Sequence, residues 1–420
     1  MGWRRSRSEE KSRVNQAALD WRPVKLIRID VDVLPSAPPL QAADGDRLWI
    51  EVLKQGQVVG VVDARGEDNG LPAFVVEQIV SRFRDVALPP RESVADESLA
   101  KASVVVPTIC SDPSELVRTV ESLLALDYPD FEIVIVDNRS AVPSAPLPAL
   151  PGEGRVRVVV EPQRGISAAR NKGIAESTGD FLAFTDDDAV VDRDWLRAIG
   201  TRFALDSEVE GIGGLVLPME FETAPQLWFE EFYGGFSPSF QFEKLSIKRL
   251  EGIDKMFPYA IGRFGAGCNT AYRRTTLQRL GDFDVLLGVG TLAKSGEDVD
   301  MALKLVLSGA TFAYEPAAVV RHAHRRTEDE FMKQAFNYGV GLTAMYTALI
   351  VRDPTQLAAL IRRIPLGLRH LTRPAEQRSA STAPSYPKRT LAHQVLGMAY
   401  GPLAYVLSAV RTRWFSGGRA

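Results

Sequence analysis

The stretch SVVVPTICSDPSELVRTVESLLALDYPDFEIVIVD, residues 103–137, decides the fold. Its ends are short runs apolar throughout, SVVVP (103–107) and FEIVIVD (131–137), and between them Asp112 to Leu126 is an amphipathic segment opened by SDPSE. Strands with no polar alternation are buried on both faces, as in parallel sheets covered by helices. Strand, helix and strand in succession therefore predict a parallel pair with a crossover helix. The pattern continues with VRVVVEP (156–162) as a third strand, Ile166 to Ser177 as a helix, and DFLAFTDDD (180–188) as a strand running into three carboxylates. The expected class is α/β, a doubly wound, mostly parallel sheet with helices on both faces. Ligands of such sheets bind at the carboxyl ends of the strands. That places candidate chemistry at Thr108, Asp137 and Asp186 to Asp188.

Upstream, residues 24–64 read as short strands: Val24 to Val33 alternates in part, Leu48 to Leu53 follows a turn-rich DGD, and Val58 to Val62 is an apolar run. With a helix expected over Leu71 to Phe83, this is a small α/β or β-rich module without recognisable chemistry. LPPRESVADESLA (88–100) is the natural linker. Downstream, 211–325 is Gly-rich and aromatic, with strands expected at 212–217 and 311–315 and a helix from Asp298 to Ser308. A further helical run covers 328–350. The chain thus divides into a flexible basic N-terminus (1–23), a small module (24–90), a central domain (101–330) and a helical, basic and apolar C-terminal region (331–420).

The 420 residues are 45% hydrophobic and 25% charged, which excludes a disordered, collagenous or coiled-coil chain. Only two cysteines occur, Cys110 and Cys268, far apart in sequence. A disulfide framework and a cysteine-based zinc site are therefore excluded, and a reducing compartment is expected. Charge is uneven: residues 352–420 hold eleven Lys and Arg against Asp353 and Glu376, while 14–351 carry 34 basic against 49 acidic residues. Such an acidic body does not grip nucleic acid over its main surface, and basic ends suit anionic lipid or are solvated tails. Met1 to Arg13 is polar with no apolar run behind it, so no secretory leader is expected and the bulk is expected in the cytoplasm. Val395 to Val410 lacks charge but is interrupted by Gly397, Gly401 and Pro402. It falls short of the roughly 20 apolar residues of a spanning helix, and is expected to lie peripherally on the inner membrane face or to pack as a helical hairpin.

Several residues carry candidate chemistry, each with a plainer alternative. In an extended chain alternate side chains share a face, so Asp186 and Asp188 point together and suit Mg²⁺ or Mn²⁺, which take oxygen ligands and bridge to substrate phosphates. The alternative is an Asp-rich turn capping the helix that follows. Asp137, ending its strand, accepts hydrogen bonds from a base or ribose, or makes an Asx turn. Asp298 in GEDVD opens a helix, as a general base or as an N-cap. His322 and His324 offer an imidazole to the metal or form a surface pair. Trp195, Trp228 and the aromatics of 228–242 make a stacking platform for a sugar or base, or pack in the core.

Taken in order, SVVVPT (103–108), IVIVDN (133–138), RGISAARNKGIAESTGDFLAFTDDD (164–188), GAGCNTAYRR (265–274), GDFDVLLGVG (281–290), GEDVDMALKL (296–305) and YEPAAVVRHAHR (314–325) resemble the family 2 glycosyltransferases, inverting nucleotide-sugar enzymes of GT-A fold. The resemblance implies a donor pocket of Pro107, Thr108, Asp137, Asn138, Arg164, Arg170, Asn171, Asp186 and Asp187. It implies that Asp186 and Asp188, as the DxD motif, hold Mg²⁺ or Mn²⁺ together with His322, and that Asp298, beside Glu297, is the catalytic base. Gly267, Asn269 and Trp228 would face the acceptor. Single-sugar transfer from a nucleotide-sugar donor to a glycan or lipid-linked acceptor of the cell envelope is the expected activity, because the QxxRW motif of processive members is absent: RHAHRR (321–326) has no Trp beside it.

Two other classes compete. A sugar nucleotidyltransferase also uses an α/β sheet and paired carboxylates, but SVVVPTIC lacks the Gly-rich signature with a basic residue. A non-catalytic sugar- or partner-binding module would not need every acidic group in place, and here all are present.

Overall fold

A computed structural model describes residues 21–34, 42–68, 70–88, 94–139, 146–236, 239–248, 255–372, 387 and 389–416. The basic N-terminus through residue 20, part of the linker (89–93) and the Pro-rich 373–386 lie outside these residues.

Among the described residues the central sheet has nine strands. β4 (Ala102–Thr108), β5 (Phe131–Asp137), β6 (Val156–Val160) and β7 (Phe181–Phe184) run parallel, in the spatial order β7-β4-β5-β6. β4 is buried along its whole length, as its unbroken apolar run requires. Thr108 and Asp137 are paired in register, so the two strand ends lie level. Beyond β7 the sheet turns mixed: β11 (Thr270–Arg273) is antiparallel to both β7 and β9 (Val209–Pro218), and β9 is parallel to β12 (Thr311–His322). Short β10 (Glu243–Leu245) and β8 (Ala189–Val191) pair antiparallel with β12. The expected α/β class is present. The expected strand at 311–315 continues to His322, so His322 ends a sheet strand.

Helices cover both faces. α2 (Pro113–Leu124) is capped by Asp112, whose carboxylate accepts the Ser114 amide at 2.8 Å, and it packs with α4 (Trp195–Leu205) on one face. α3 (Ile166–Glu176) and α7 (Glu297–Leu307) cover the other. The cap of α7 is Gly296, at φ 96° where a side chain would be strained and would meet the Gly341 carbonyl. Asp298 is therefore not the N-cap but lies in the first turn.

The N-terminal module is a three-stranded sheet, β1 (Lys25–Asp30), β2 (Arg47–Lys54) and β3 (Gln57–Arg65), with α1 (Ala73–Phe83) packed against it. It is docked on the central domain. Val24 bridges to Phe221, Trp49 meets the Phe221 ring edge-on at 5.0 Å, and Arg321 on β12 donates to Glu51 at 2.8 Å with both groups buried.

The C-terminal region is helical: α8 (Glu328–Arg352), α9 (Gln356–Thr372) and α10 (Thr390–Ser416). A Cβ on Gly397 would come within 2.1 Å of the Phe336 carbonyl, and one on Gly401 within 2.0 Å of Thr343 Oγ1. These glycines, which read in sequence as interruptions of an apolar run, let α10 approach the α8 backbone, where Thr343 Oγ1 donates to the Met398 carbonyl at 2.8 Å. Among the described residues no helix is long and apolar enough to cross a membrane.

Candidate active site

The carboxyl ends of β4, β5, β7 and β12, with the start of α7 and the loop 265–269, bring most of the sequence-predicted residues together. After β7 the chain turns, and its three carboxylates diverge. Asp188 Oδ1 lies 3.2 Å and Asp186 Oδ2 3.9 Å from His322 Nε2, while Asp187 accepts the Thr108 hydroxyl on the other side. The alternation expected of an extended chain is thus kept by a turn. Burial pushes the Asp187 carboxyl up to about 6, helped by its two acidic neighbours, and Asp186 is likewise raised by burial. Burial acts the same way on Asp188, but the His322 charge and hydrogen bond outweigh it and hold that carboxyl below its usual range. His322 Nδ1 is buried and has no hydrogen-bond partner among the described residues.

Arg170 joins the two halves of the site. It is 1% exposed, donates to Glu297 Oε1 at 2.8 Å and to the Gly267 carbonyl at 3.1 Å, and reaches Asp186 Oδ1 at 3.4 Å. The Gly267 amide in turn donates to Asp298 Oδ2 at 2.7 Å. Glu297 is buried against Arg170; burial and the adjacent Asp298 push its carboxyl up to about 7. It faces inward, unlike the partly exposed Asp298 beside it.

Several expected contacts have other tasks. Asn138 holds the loop after β6, donating to the Glu161 and Gln163 carbonyls at 2.8 Å and accepting the Gly165 amide. Asn171 pins the backbone of Phe283 through both its amide and its carbonyl, at 2.9 Å each. Asn269 is fully buried, bonded to the Leu215 and Ala318 carbonyls and to Trp195 Nε1, so neither Asn269 nor Trp195 faces an acceptor. Trp228 packs edge-on against Phe331 at 5.9 Å in the core beneath α8. Pro107 is buried within β4, and Arg164 is exposed.

Sequence reasoning missed three partners. Arg139 grips Asp137 with Nε at 2.9 Å and a terminal nitrogen at 2.7 Å, lowering that carboxyl. His324 does not join His322 but pairs with buried Glu230 at 2.8 Å. Cys268, inside the GAGCN block, puts its thiol with a carboxylate oxygen of Asp186 and a ring nitrogen of His322, all within 4.8 Å of one another. The exclusion of a cysteine-based zinc site rested on counting cysteines, and a single thiol among other ligands escapes that count. Carboxylate, imidazole and thiol with an unpartnered ring nitrogen form a donor set that fits a divalent ion.

Comparison with known proteins bears on the central domain as a whole. Residues 103–281 match the family described as Glycosyl transferase family 2. The pre-mycofactocin glycosyltransferase of Mycobacterium tuberculosis is 30% identical over 263 residues, 62% of this chain and 49% of that protein. The succinoglycan biosynthesis protein ExoM of Rhizobium meliloti is 32% identical over 219 residues, 49% of this chain and 62% of that one. The chain spans about half the length of the first of these relatives. A solved mannosyltransferase of Pyrobaculum calidifontis, in complex with GDP-Man and Mn²⁺, superposes with TM-score 0.42 at 17% identity over 81% of this chain and 94% of that one, a distance at which neither donor nor ion carries over. The matched blocks and the relatives converge on one statement: residues 103–281, within the central domain, are similar to glycosyl transferase family 2.

Proposed function

We propose that the chain is an inverting glycosyltransferase that moves a single sugar from a nucleotide-sugar donor to a hydroxyl acceptor. The observation that supports this most is the Arg170 linkage, which ties Asp298 through Gly267 to Asp186 and so holds a base and an ion-binding carboxylate around one buried guanidinium. In this reading Asp298 takes the acceptor proton while the hydroxyl attacks the anomeric carbon opposite the leaving nucleotide, and one displacement inverts the configuration. Thr108 and Asp137, level at adjacent strand ends, line the nucleotide pocket, with Pro107, Arg164 and Asp187 around them. Mg²⁺ or Mn²⁺ would be held by Asp186, Asp188 and His322, and would supply positive charge against the departing nucleoside diphosphate.

The test is turnover and thermal stabilisation with UDP-, GDP- and dTDP-sugars. Asp298→Asn is expected to lower turnover roughly 10²–10⁴-fold while stabilisation by the donor nucleotide is kept. Full turnover in that variant, or a wild type that no nucleotide stabilises, would overturn the assignment.

A lipid-linked or envelope glycan acceptor fits the outer face of the C-terminal helices. On α9, Leu357, Ile361, Ile364 and Leu368 recur at helical spacing and are each about half exposed, flanked by Arg362, Arg363 and Arg369, with no acidic residue in the helix. On α10, Val395, Leu396, Leu403, Val406 and Val410 are exposed on a helix that also lacks acids. An apolar stripe with basic flanks suits the cytoplasmic face of an anionic membrane. Co-sedimentation with phosphatidylserine vesicles at low salt is expected, weakened in Ile361→Glu/Leu368→Glu. A wild type that stays in the supernatant removes the membrane from the reading.

A further inference from the structure

We propose that Cys268 is a ligand of the divalent ion, so that the site is a mixed oxygen, nitrogen and sulfur site selective for softer ions over Mg²⁺. This deepens the metal assignment above and rests on it.

The thiol has the position, and among the described residues it makes no hydrogen bond. Its Sγ lies with the Asp186 carboxylate and the His322 ring within one 4.8 Å cluster, and the residue is 2% exposed. It is a free cysteine, as is Cys110. Its backbone is fixed on both sides. Gly267 before it is clamped between Asp298 and Arg170, and Asn269 after it is locked by Leu215, Ala318 and Trp195. A side chain between two such anchors cannot swing away from the pocket. His322 is itself more than nine-tenths buried, and its Nε2 faces the carboxylates of Asp188 and Asp186.

Sulfur changes which ions the site prefers. Oxygen-only sites suit Mg²⁺, whereas a thiolate with imidazole favours Co²⁺, Zn²⁺ and Cd²⁺. On binding, the thiol proton passes to solvent and the sulfur lone pair enters the coordination sphere, so no oxidant or reductant is needed. Asp188, hydrogen-bonded to His322, then serves as a further oxygen ligand or orients the ring.

The experiment is a titration of the full chain with Co²⁺ alone, followed by absorption spectroscopy. A thiolate-to-Co²⁺ charge-transfer band in the near ultraviolet is expected for wild type, retained in Cys110→Ser and lost in Cys268→Ser. Co²⁺ affinity in Cys268→Ser is expected to fall roughly 10–100-fold, with circular dichroism unchanged and Mg²⁺ affinity little altered. Visible Co²⁺ d–d bands without the charge-transfer band, or a band that survives Cys268→Ser, would show that an ion binds without Cys268 and would overturn this proposal alone. Absence of any Co²⁺ binding would overturn both the sulfur ligand and the metal site of the proposed function.

Discussion

At the scale of single residues, the site depends on a guanidinium that no solvent reaches. Arg170 faces Glu297, Asp186 and, through Gly267, Asp298, so its charge offsets a cluster of buried carboxylates. Removing one partner of a buried ion pair leaves the other uncompensated. Arg170→Met is therefore expected to destabilise the protein by about 3–5 kcal/mol, measurable by urea denaturation. Glu297→Gln, which still accepts a hydrogen bond, is expected to cost less. Legibility is uneven at this scale. Asp186, Asp188, Asp298 and His322 were readable as candidates because they stand in ordered motif blocks, although each taken alone reads as a turn, a cap or a surface pair. Asn138, Asn171 and Asn269 were not, because a carboxamide pinning a loop looks the same in sequence as one facing a ligand. Its backbone partners lie between 23 and 112 residues away along the chain.

At the scale of elements, Glu132 on β5 ties neighbouring segments together: Oε1 accepts from Ser103 Oγ on β4 at 2.7 Å and from the Thr178 amide at 2.6 Å, and Oε2 from Arg157 on β6 at 3.1 Å. Burial alone would raise its carboxyl, but these donors outweigh it and bring it to about 2. Between that value and the ordinary 4.5 the unfolded chain binds the extra proton. Stability from this group is thus complete above about pH 4.5 and is lost as pH falls toward 2, by on the order of 2 kcal/mol. Melting temperatures from pH 5 to 2.5 are expected to fall less steeply in Glu132→Gln than in wild type. The α8–α10 contact offers a second check. Gly401→Leu has no room against Thr343 and the Val340 carbonyl, and is expected to part the helices and lower the melting temperature, whereas Leu403→Ala on the exposed side is expected to be nearly silent. The strands of 103–188 were legible as elements because unbroken apolar runs have one common explanation. The extension of β12 to His322 was not, because the Glu315/Val319 irregularity interrupts its register.

At the scale of the whole molecule, the N-terminal module is joined to the central sheet by charges withdrawn from water. Glu51 accepts from Arg321 and Arg28, and Arg47 pairs with Asp63 and Glu231. Glu51→Ala and Arg321→Ala are each expected to be strongly destabilising, while the double substitution costs less than the sum of the two by about 1–3 kcal/mol. A chemical-denaturation cycle reads this directly, and strict additivity would show that the pair does not couple the modules. The composition of 24–85 gave no hint of such a role, because a cross-domain ion pair leaves no periodicity in sequence.

Arg321 and His322 are consecutive on one strand and so point to opposite faces. One side chain is held by the accessory sheet, the other looks into the pocket of carboxylates. An accessory domain exchanged between relatives would therefore not be a neutral graft: a newcomer lacking an acid opposite Arg321 would take Glu51 from a buried guanidinium one residue away from the imidazole. A single peptide bond, between Arg321 and His322, thus separates the contact with the accessory sheet from the pocket of carboxylates.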